Sequence, residues 1–418
     1  MKKFVTYLIL ISFIFRALTI NVSAKSVKPT VSADSAVLID ATTGEILYSK
    51  NKDEAYAPAS TTKIMTALLT FERCKLDEVV QVGSKPPLAD GSKIYIFEGE
   101  NLTVNEILHG LLLPSANDCA EALAEHISGS KEEFAKLMNK RAKQLGCKNT
   151  NFVNPSGLYN TNHKTSSYDL SLIMRELEKH PEYKVIATTS SYNIGPTNKT
   201  PLVRPLWNEN KLIQKTSQYY YNGIEGGKTG YTTESAHSYV ASATRNGQRL
   251  IVALVHDTKK TFWEDSTNLF NYGFDNYDLI KLYSKGDPVT TYKSDNLNVP
   301  LVSTNDFYYV NEKDNKDLPK FIFKDENLNN DSFKTGDYLL QAGVTINNKN
   351  IGNINLSSGI DHVLKPLVRA EYTLENSALK MFYGVLSILA VTLAILLARK
   401  RVRNRRRNKL RNIFNKKN

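Results

Sequence analysis

Three short motifs in this sequence combine residue types that can form and break acyl bonds. The first is SxxK, in the segment 58–72, PASTTKIMTALLTFE, where Ser60 precedes Lys63 by three residues. Positions i and i+3 of a helix share a face, so the hydroxyl and the amine can lie side by side. The residues after Lys63 are almost all apolar, which predicts a buried helix. A buried ammonium is costly or loses its proton, so this lysine indicates a partner or a chemical task.

The other two motifs are SxN, at Ser115 and Asn117, and KTG, at Lys228, Thr229 and Gly230. Ser115 follows the apolar run LHGLLLP at a proline break between helical segments, where a loop can be held rigidly in a cleft. The glycine-rich GIEGG before Lys228 predicts a bend that leads into a pair of strands.

Each motif is weak alone, because the sequence contains several copies of it. SxxK begins at Ser49, Ser60, Ser128 and Ser377, SxN begins at Ser115, Ser191, Ser266 and Ser294, and KTG begins at Lys228 and Lys334. Context selects among the copies, since only Ser60 opens a helix that buries its lysine, and Lys334 precedes Asp337 as in an ordinary turn. The ordered set that remains is far more specific than any member and comprises Ser60, Lys63, Ser115, Asn117 and Lys228.

The chain around the motifs is patterned as an α/β (α+β) domain over residues 34–280. Periodicity predicts, in chain order, a hairpin over 35–50, helices over 58–72, 105–127 (broken at Pro114) and 131–146, and strands over 237–244 and 249–257. Thr43-Gly44 and Asn246-Gly247 are the two hairpin turns. We expect one antiparallel sheet covered by helices, with the N-terminal hairpin beside the late strands.

Residues 285–370 change to short β-rich runs broken by Asn, Asp and Gly, which predicts a separate small all-β domain. This domain contains no group of residues that could form a catalytic or binding site. We therefore interpret it as a stalk that spaces the first domain from the membrane rather than as a binding module. The three cysteines are widely spaced and the seven histidines show no HxxxH spacing. We therefore read the cysteines as small buried hydrophobes and expect no metal site.

The net charge of +12 is concentrated at the two ends of the chain. Residues 399–418 carry eleven Lys or Arg and no acid, whereas the chain between residues 25 and 398 is slightly acidic. This distribution argues against a nucleic-acid partner. Residues 1–24 combine Lys2 and Lys3, an apolar run and a final Val-Ser-Ala, which predicts a secretory signal peptide.

The other end predicts a single membrane span. Residues 381–398 form an 18-residue stretch without a charge, and a helix of that length covers about 27 Å, close to the thickness of a bilayer's hydrocarbon core. The basic residues 399–418 then form a cytoplasmic tail, because positive flanks stay inside. We expect a single-pass protein of the cell membrane with its catalytic domain on the extracytoplasmic side.

SxxK with SxN and KTG is a combination found in penicillin-binding proteins and class A β-lactamases. The longer segments PASTTKIMTA, LLLPSANDCAEALAEHISGS, LGCKNTNFVNPSGL and GIEGGKTGYT resemble the serine-type D-alanyl-D-alanine carboxypeptidases, the low-molecular-mass penicillin-binding proteins. The resemblance covers about 34–280, and 285–370 resembles more weakly the β domain that follows in that family. It implies a β-lactamase/transpeptidase-like fold and removal of the terminal D-alanine from peptidoglycan stem peptides. β-Lactam antibiotics would be covalent inhibitors.

Hydrolysis through a serine needs a base, an oxyanion hole and an acid for the leaving amine. Lys63 would be a poor base at an ordinary pKa of about 10.4, but burial, a helix N-terminus and a neighbouring cation such as Lys228 favour its neutral form. The resemblance implies that Ser60 is the nucleophile, that Ser115 relays a proton to the departing amine, and that Asn117 orients substrate and lysine.

The resemblance also implies how the substrate is bound. Lys228 and Thr229 would hold its terminal carboxylate, and the backbone N–H groups of Ser60 and Tyr231 would face the oxyanion. Gly230 would let the strand backbone approach the substrate closely.

Two alternatives are a β-lactamase and a non-catalytic penicillin or peptidoglycan sensor. Class A β-lactamases use a glutamate to activate water, and no ExxLN-like stretch lies between Asn117 and Lys228. A sensor could keep the acylation set, but a tail of about 20 residues is too short to fold as a signalling domain. The sequence departs from many relatives at Ser156, where they often have histidine, and in having a true membrane span.

Overall fold

The computed structural model describes residues 27–294, 297–323, 327–364 and 371–414, so the predicted signal peptide lies outside the described residues. In this part of the chain the α-helices are α1 (Lys63–Arg73), α2 (Val104–Leu112), α3 (Asn117–Ser128), α4 (Lys131–Gln144), α5 (Ser167–Leu177), α6 (Pro181–Ala187), α7 (Phe262–Asn276) and α8 (Glu371–Phe414). Short 3₁₀ turns span Ala59–Thr62, Pro86–Leu88 and Leu328–Asn330.

The first strands of the described chain are β1 (Ser35–Asp40), β2 (Ile46–Lys50), β3 (Ala55–Tyr56), β4 (Val79–Gln81), β5 (Asn101–Thr103), β6 (Thr165–Ser166), β7 (Ser191–Ile194), β8 (Arg204–Trp207), β9 (Ile224–Thr232), β10 (Ala236–Arg245) and β11 (Gln248–Asp257). Those that follow α7 are β12 (Tyr277–Tyr283), β13 (Pro288–Ser294), β14 (Leu297–Ser303), β15 (Phe307–Glu312), β16 (Lys320–Phe323), β17 (Tyr338–Ile346) and β18 (Lys349–Ser358).

A five-stranded antiparallel sheet of order β2-β1-β11-β10-β9 forms the centre of the catalytic part. The N-terminal hairpin lies beside the late strand β11, as the sequence predicts. Asn246 and Gly247 both adopt positive φ, 51° and 81°, the conformation that lets a two-residue turn match the twist of its strands. Asp40 stabilises the other turn, since its carboxylate accepts the backbone N–H groups of Thr42 and Thr43.

Both faces of this sheet are buried. Val240 and Ile251 belong to a core shared with α1 to α6 on one face, whereas Tyr239 and Val252 belong to a second core with α7 on the other. Strand β11 therefore reads as a nearly continuous apolar run rather than an alternating one. The predicted antiparallel sheet covered by helices is confirmed.

In the glycine-rich segment before Lys228 the predicted bend is limited to its start, where Gly223 lies in a turn with a φ of 92°. Ile224–Thr232 is strand β9, and its register against β10 shifts between Ile224 and Gly226. Glycine is needed there for packing. A Cβ on Gly226 would lie 2.9 Å from the Tyr183 hydroxyl, and one on Gly227 would lie 2.8 Å from the Tyr239 hydroxyl. The break at Pro114 is confirmed, since it separates α2 from α3.

The C-terminal part is β-rich, as predicted, and β13, β14, β18, β17 and β16 form its larger sheet in that order. The chain divides into two compact units. Within the described residues, the larger unit comprises 27–291, 300–323 and 338–357, and the smaller comprises the remaining segments, including α8. Helix α8 contains the segment Ser377–Lys409, which is long and apolar enough to cross a membrane and is not buried against other parts of the structure.

Candidate active site

A short 3₁₀ turn presents Ser60 at the start of the buried helix. The turn spans Ala59–Thr62, and α1 begins directly after it at Lys63. Ala59 has a positive φ of 49°, a conformation that persists in a non-glycine residue only where the surrounding structure enforces it. Ser60 is half-buried, so part of the residue is accessible from solvent.

The Lys63 amine is fully buried and makes three hydrogen bonds. Its Nζ lies 2.9 Å from Oγ of Ser60, 2.6 Å from Oδ1 of Asn117 and 2.8 Å from the carbonyl oxygen of Ser156. Two of these partners are oxygen atoms that only accept, whereas the serine hydroxyl can donate or accept. The structure thus joins the SxxK motif to the SxN motif and adds a backbone carbonyl that no motif marks.

Burial lowers the pKa of Lys63 well below its usual value, and the charge of Lys228 lowers it further. Cys119, Glu209 and Asp118 raise this pKa by smaller amounts. Lys228 is itself 2% exposed. Burial lowers the pKa of Lys228 to about 8, against a raising influence of Glu209. The arrangement therefore favours the neutral form of Lys63, and at neutral pH Lys228 remains mostly protonated.

The SxN motif lies in the connection between α2 and α3. Ser115 is buried there with a positive φ of 64°, and Asn117 is the first residue of α3. The Asn117 side-chain amide donates to the carbonyl of Asp90 at 2.6 Å, and its backbone N–H donates to the carbonyl of Ser92 at 2.6 Å. These bonds orient the amide so that its oxygen faces Lys63.

The KTG motif lies on β9, at the end of the sheet order, where the strand packs against the turn that carries Ser60. A Cβ on Gly230 would lie 2.8 Å from the Ser60 backbone nitrogen and 2.8 Å from the Pro58 carbonyl oxygen. The absence of a side chain at Gly230 therefore leaves room for the 3₁₀ turn, a packing role that the sequence did not indicate. Lys228 Nζ donates to the neighbouring Thr229 carbonyl at 3.0 Å. Among the hydrogen bonds and ion pairs of the described residues, Lys228 therefore has this backbone partner and no carboxylate partner.

Tyr231, the last residue of the predicted set, presents its side chain outward. It is 59% exposed, and its ring stacks on His237 of the adjacent strand with centroids 4.4 Å apart. Any role in an oxyanion hole therefore belongs to its backbone, next to Gly230. The competing KTG copy at Lys334 lies in a turn in which the Lys334 N–H donates to the Asp337 carboxylate at 2.7 Å, as predicted.

Sequence reasoning missed the loop NPSGL as part of the site. The contact with Lys63 is made by the Ser156 carbonyl, so replacing the family's frequent histidine by serine does not remove it. Gly157 follows with a φ of 87°, and a Cβ there would lie 1.9 Å from the Ala59 carbonyl oxygen. The glycine in this loop was the one signal that a close backbone approach was required.

Two carboxylates near the buried amines were also missed. Asp118 is fully buried and accepts the backbone N–H groups of Ile94 and Ile96, at 3.1 and 3.2 Å. Burial raises the pKa of this carboxyl. Glu209 is exposed, and its backbone N–H donates to the Leu113 carbonyl at 3.3 Å, two residues before the SxN serine. No motif marks either residue.

The geometry agrees with what comparison to known proteins finds. Residues 21–259 match the family described as D-alanyl-D-alanine carboxypeptidase, which is more than half of the chain. The chain belongs to the D-alanyl-D-alanine carboxypeptidase family. Residues 277–363 match the family described as penicillin-binding protein 5, C-terminal domain. The predicted serine-type carboxypeptidase and its small all-β domain are thereby confirmed.

Individual relatives of this carboxypeptidase support the same placement. The D-alanyl-D-alanine carboxypeptidase DacF of Bacillus subtilis is 39% identical over 267 residues, which cover 62% of this chain and 67% of the relative. DacA of Haemophilus influenzae is 31% identical over 349 residues, covering 78% and 84%. The crystal structure of penicillin binding protein 5 from Haemophilus influenzae superposes with a TM-score of 0.69 at 28% identity, over 80% of this chain and 99% of that one.

The contacts of Lys63 lead to a paired prediction for this carboxypeptidase. Asn117→Ala removes a side-chain acceptor from the amine and should lower kcat/KM for D-alanine release about a hundredfold, since small misplacements of a catalytic group have effects of this order. Ser156→Ala keeps the carbonyl that contacts the amine and should change the rate less than about threefold. Steady-state kinetics of the two variants test this, and equal losses would contradict the assignment of the contact to the backbone.

Proposed function

We propose that the enzyme removes the terminal D-alanine of peptidoglycan stem peptides through an acyl intermediate on Ser60, with Lys63 as the base. The observation that carries this is the hydrogen-bond set of the buried amine. A neutral amine has two N–H groups, which match the two acceptor-only partners, Oδ1 of Asn117 and the carbonyl of Ser156. Its lone pair is then left for the Ser60 hydroxyl at 2.9 Å, in position to take the proton.

The reaction follows from these positions. Oγ of Ser60 attacks the carbonyl carbon of the penultimate D-alanine while its proton moves to Lys63, and the carbonyl oxygen becomes an oxyanion. Backbone N–H groups of Ser60 and Tyr231 stabilise that oxyanion. Collapse breaks the C–N bond, and the departing amine receives the proton from Lys63 by way of Ser115. Water then attacks the ester carbonyl carbon while one of its protons moves to Lys63. Collapse breaks the bond to Oγ of Ser60, which takes that proton back from Lys63, and the shortened peptide leaves as a carboxylic acid that releases its proton to solvent.

Lys228 and Thr229 hold the carboxylate of the departing D-alanine. A fixed cation at this end selects for a free C-terminus, which is what distinguishes an exopeptidase. Lys228 lies on the strand that packs against the nucleophile turn, so the carboxylate and the scissile carbonyl are bound by one rigid element. β-Lactams, which also carry a carboxylate, acylate the same serine.

The enzyme is anchored in the cell membrane by α8, with the catalytic part on the extracytoplasmic side. Support comes from the segment Ser377–Lys409, which contains an apolar stretch long enough to cross a membrane, and from the basic residues that follow this stretch from Arg399 onward. The signal-like pattern of residues 1–24 gives the same orientation.

Acylation by labelled penicillin tests the nucleophile. Wild type should be labelled covalently at one site, and Ser60→Ala should lose the label completely. Ser49→Ala is the matched control, because Ser49 also begins an SxxK motif but lies exposed at the end of β2. Labelling of Ser60→Ala at the wild-type level would refute the proposal.

The pH dependence tests the carboxylate site. Protonated Lys228 binds the substrate, so kcat/KM should fall as pH rises through about 8, the pKa to which burial lowers this group. Lys228→Arg should move this alkaline limb upward, since a guanidinium stays charged. A substrate whose C-terminus is amidated should lack the limb in the wild type. If the alkaline limb of kcat/KM stays at the same pH in Lys228→Arg and persists with the amidated substrate, the limb belongs to a group other than Lys228.

Membrane topology can be measured directly. Protease added to intact protoplasts should digest the catalytic part, while an epitope placed after residue 418 stays protected. Protection of the catalytic part with digestion of the epitope would reverse the proposed orientation.

A further inference from the structure

A second group of reactive side chains lies away from the catalytic set. Cys74, Glu78 and His126 bring a thiol sulfur, a carboxylate oxygen and an imidazole nitrogen within 4.8 Å of one another. Cys74 is half-buried against the core, whereas the other two cysteines are buried, so the expectation of a small buried hydrophobe holds fully only for those two. Thiolate, imidazole and carboxylate are the three protein ligand types of zinc.

Each of the three residues is positioned by a defined backbone element. Cys74 is the C-cap of α1, and its N–H donates to the Thr70 carbonyl at 2.9 Å. His126 lies in the last turn of α3. Glu78 follows in a tight turn, where Oε2 accepts the Lys75 N–H at 3.2 Å and Oε1 lies 2.8 Å from Nε2 of His126.

The electrostatic setting favours a cation between these ligands. Cys74 is the C-cap of α1 and His126 lies in the last turn of α3, and a helix C-terminus carries partial negative charge. The hydrogen bond with His126 lowers the pKa of Glu78, so this carboxylate is ionised at neutral pH. Burial and Glu78 raise the pKa of Cys74 to about 11, partly offset by Arg73. Without a metal the sulfur is therefore a neutral thiol, and Arg73 and Lys75 are the neighbouring cations that oppose metal binding.

We propose that Cys74, Glu78 and His126 bind one zinc ion, with water in the fourth position. On binding, the Cys74 thiol releases its proton to solvent and the sulfur binds as thiolate. Tetrahedral coordination separates nitrogen and oxygen ligands by about 3.3 Å and sulfur from either by about 3.5 Å. The Glu78–His126 contact must open slightly and the sulfur must approach by about 1 Å, which partly exposed side chains reach by rotation.

The site has a structural consequence for catalysis. Helices α1 and α3 begin at Lys63 and Asn117, whose side chains are hydrogen-bonded. They end at Arg73, directly before Cys74, and at Ser128, two residues after His126. A helix of this length spans about 16 to 18 Å. Zinc would therefore join the far ends of the two helices that carry the catalytic lysine and its asparagine, and we assign it a positioning role rather than a catalytic one.

Cobalt is the spectroscopic probe for the test. The full chain, purified in detergent and treated with a chelator, should bind one equivalent of Co²⁺ with a thiolate-to-metal charge-transfer band that Zn²⁺ abolishes. Cys74→Ser should lose the band. His126→Ala and Glu78→Gln should weaken binding at least tenfold, since even outer-shell changes weaken metal binding 10- to 100-fold. Cys147→Ser is the matched control and should keep the band, because this cysteine is buried elsewhere.

Two further readouts separate loss of the site from loss of the fold. Saturating zinc should raise the Tm of the wild type and of Cys147→Ser but not that of Cys74→Ser. Penicillin labelling of every variant reports whether the catalytic part is still folded. A wild type without a charge-transfer band, a band that survives in Cys74→Ser, or an unchanged Tm with zinc would each overturn the proposal.

Discussion

The catalytic arrangement depends on one lysine amine that is held out of water. An ammonium in the interior costs several kcal/mol unless a charge of opposite sign compensates it. No carboxylate is among the described hydrogen-bond partners of Lys63, and the nearby cation Lys228 adds to the cost of a second positive charge. Loss of the proton relieves both penalties. In the proposed mechanism, the base is thus produced by the same burial that stabilises α1, and a fully solvated lysine could not replace it.

The second constraint is the close approach of two backbone segments to the turn that carries Ser60. Gly230 and Gly157 lie where a Cβ would collide with backbone atoms of the nucleophile turn, so a strand and a loop press on it from two sides. Ala59 and Ser115 retain positive φ values, 49° and 64°. Strained conformations of this kind persist only when surrounding contacts over-determine them, and they concentrate at active sites. The backbone conformation of the turn is therefore set by its packing neighbours.

Much of the fold could be predicted because the signals were local. The Asn246-Gly247 turn, the break at Pro114 and the periodic segment 131–146 each depend on the conformational preferences of a few neighbouring residues, and all three are confirmed. The segment 223–227 was predicted only in part, for the complementary reason. Gly223 does lie in a turn, with a φ of 92°, but Gly226 and Gly227 lie in β9, where they make room for the Tyr183 and Tyr239 hydroxyls. Those neighbours come from elsewhere in the chain.

By itself, the sequence determined four of the five strands of the central sheet, the family resemblance and the residue types that the chemistry needs. Tertiary structure alone decided that Asn117 and the Ser156 carbonyl share one amine, and that Cys74, Glu78 and His126 meet. A backbone carbonyl leaves no mark in residue type, and His126 comes 48 positions after Glu78, too far along the chain to give a spacing signal. Burial, which sets the pKa of the lysine, is a property of the packed interior and exists only once the chain has folded around it.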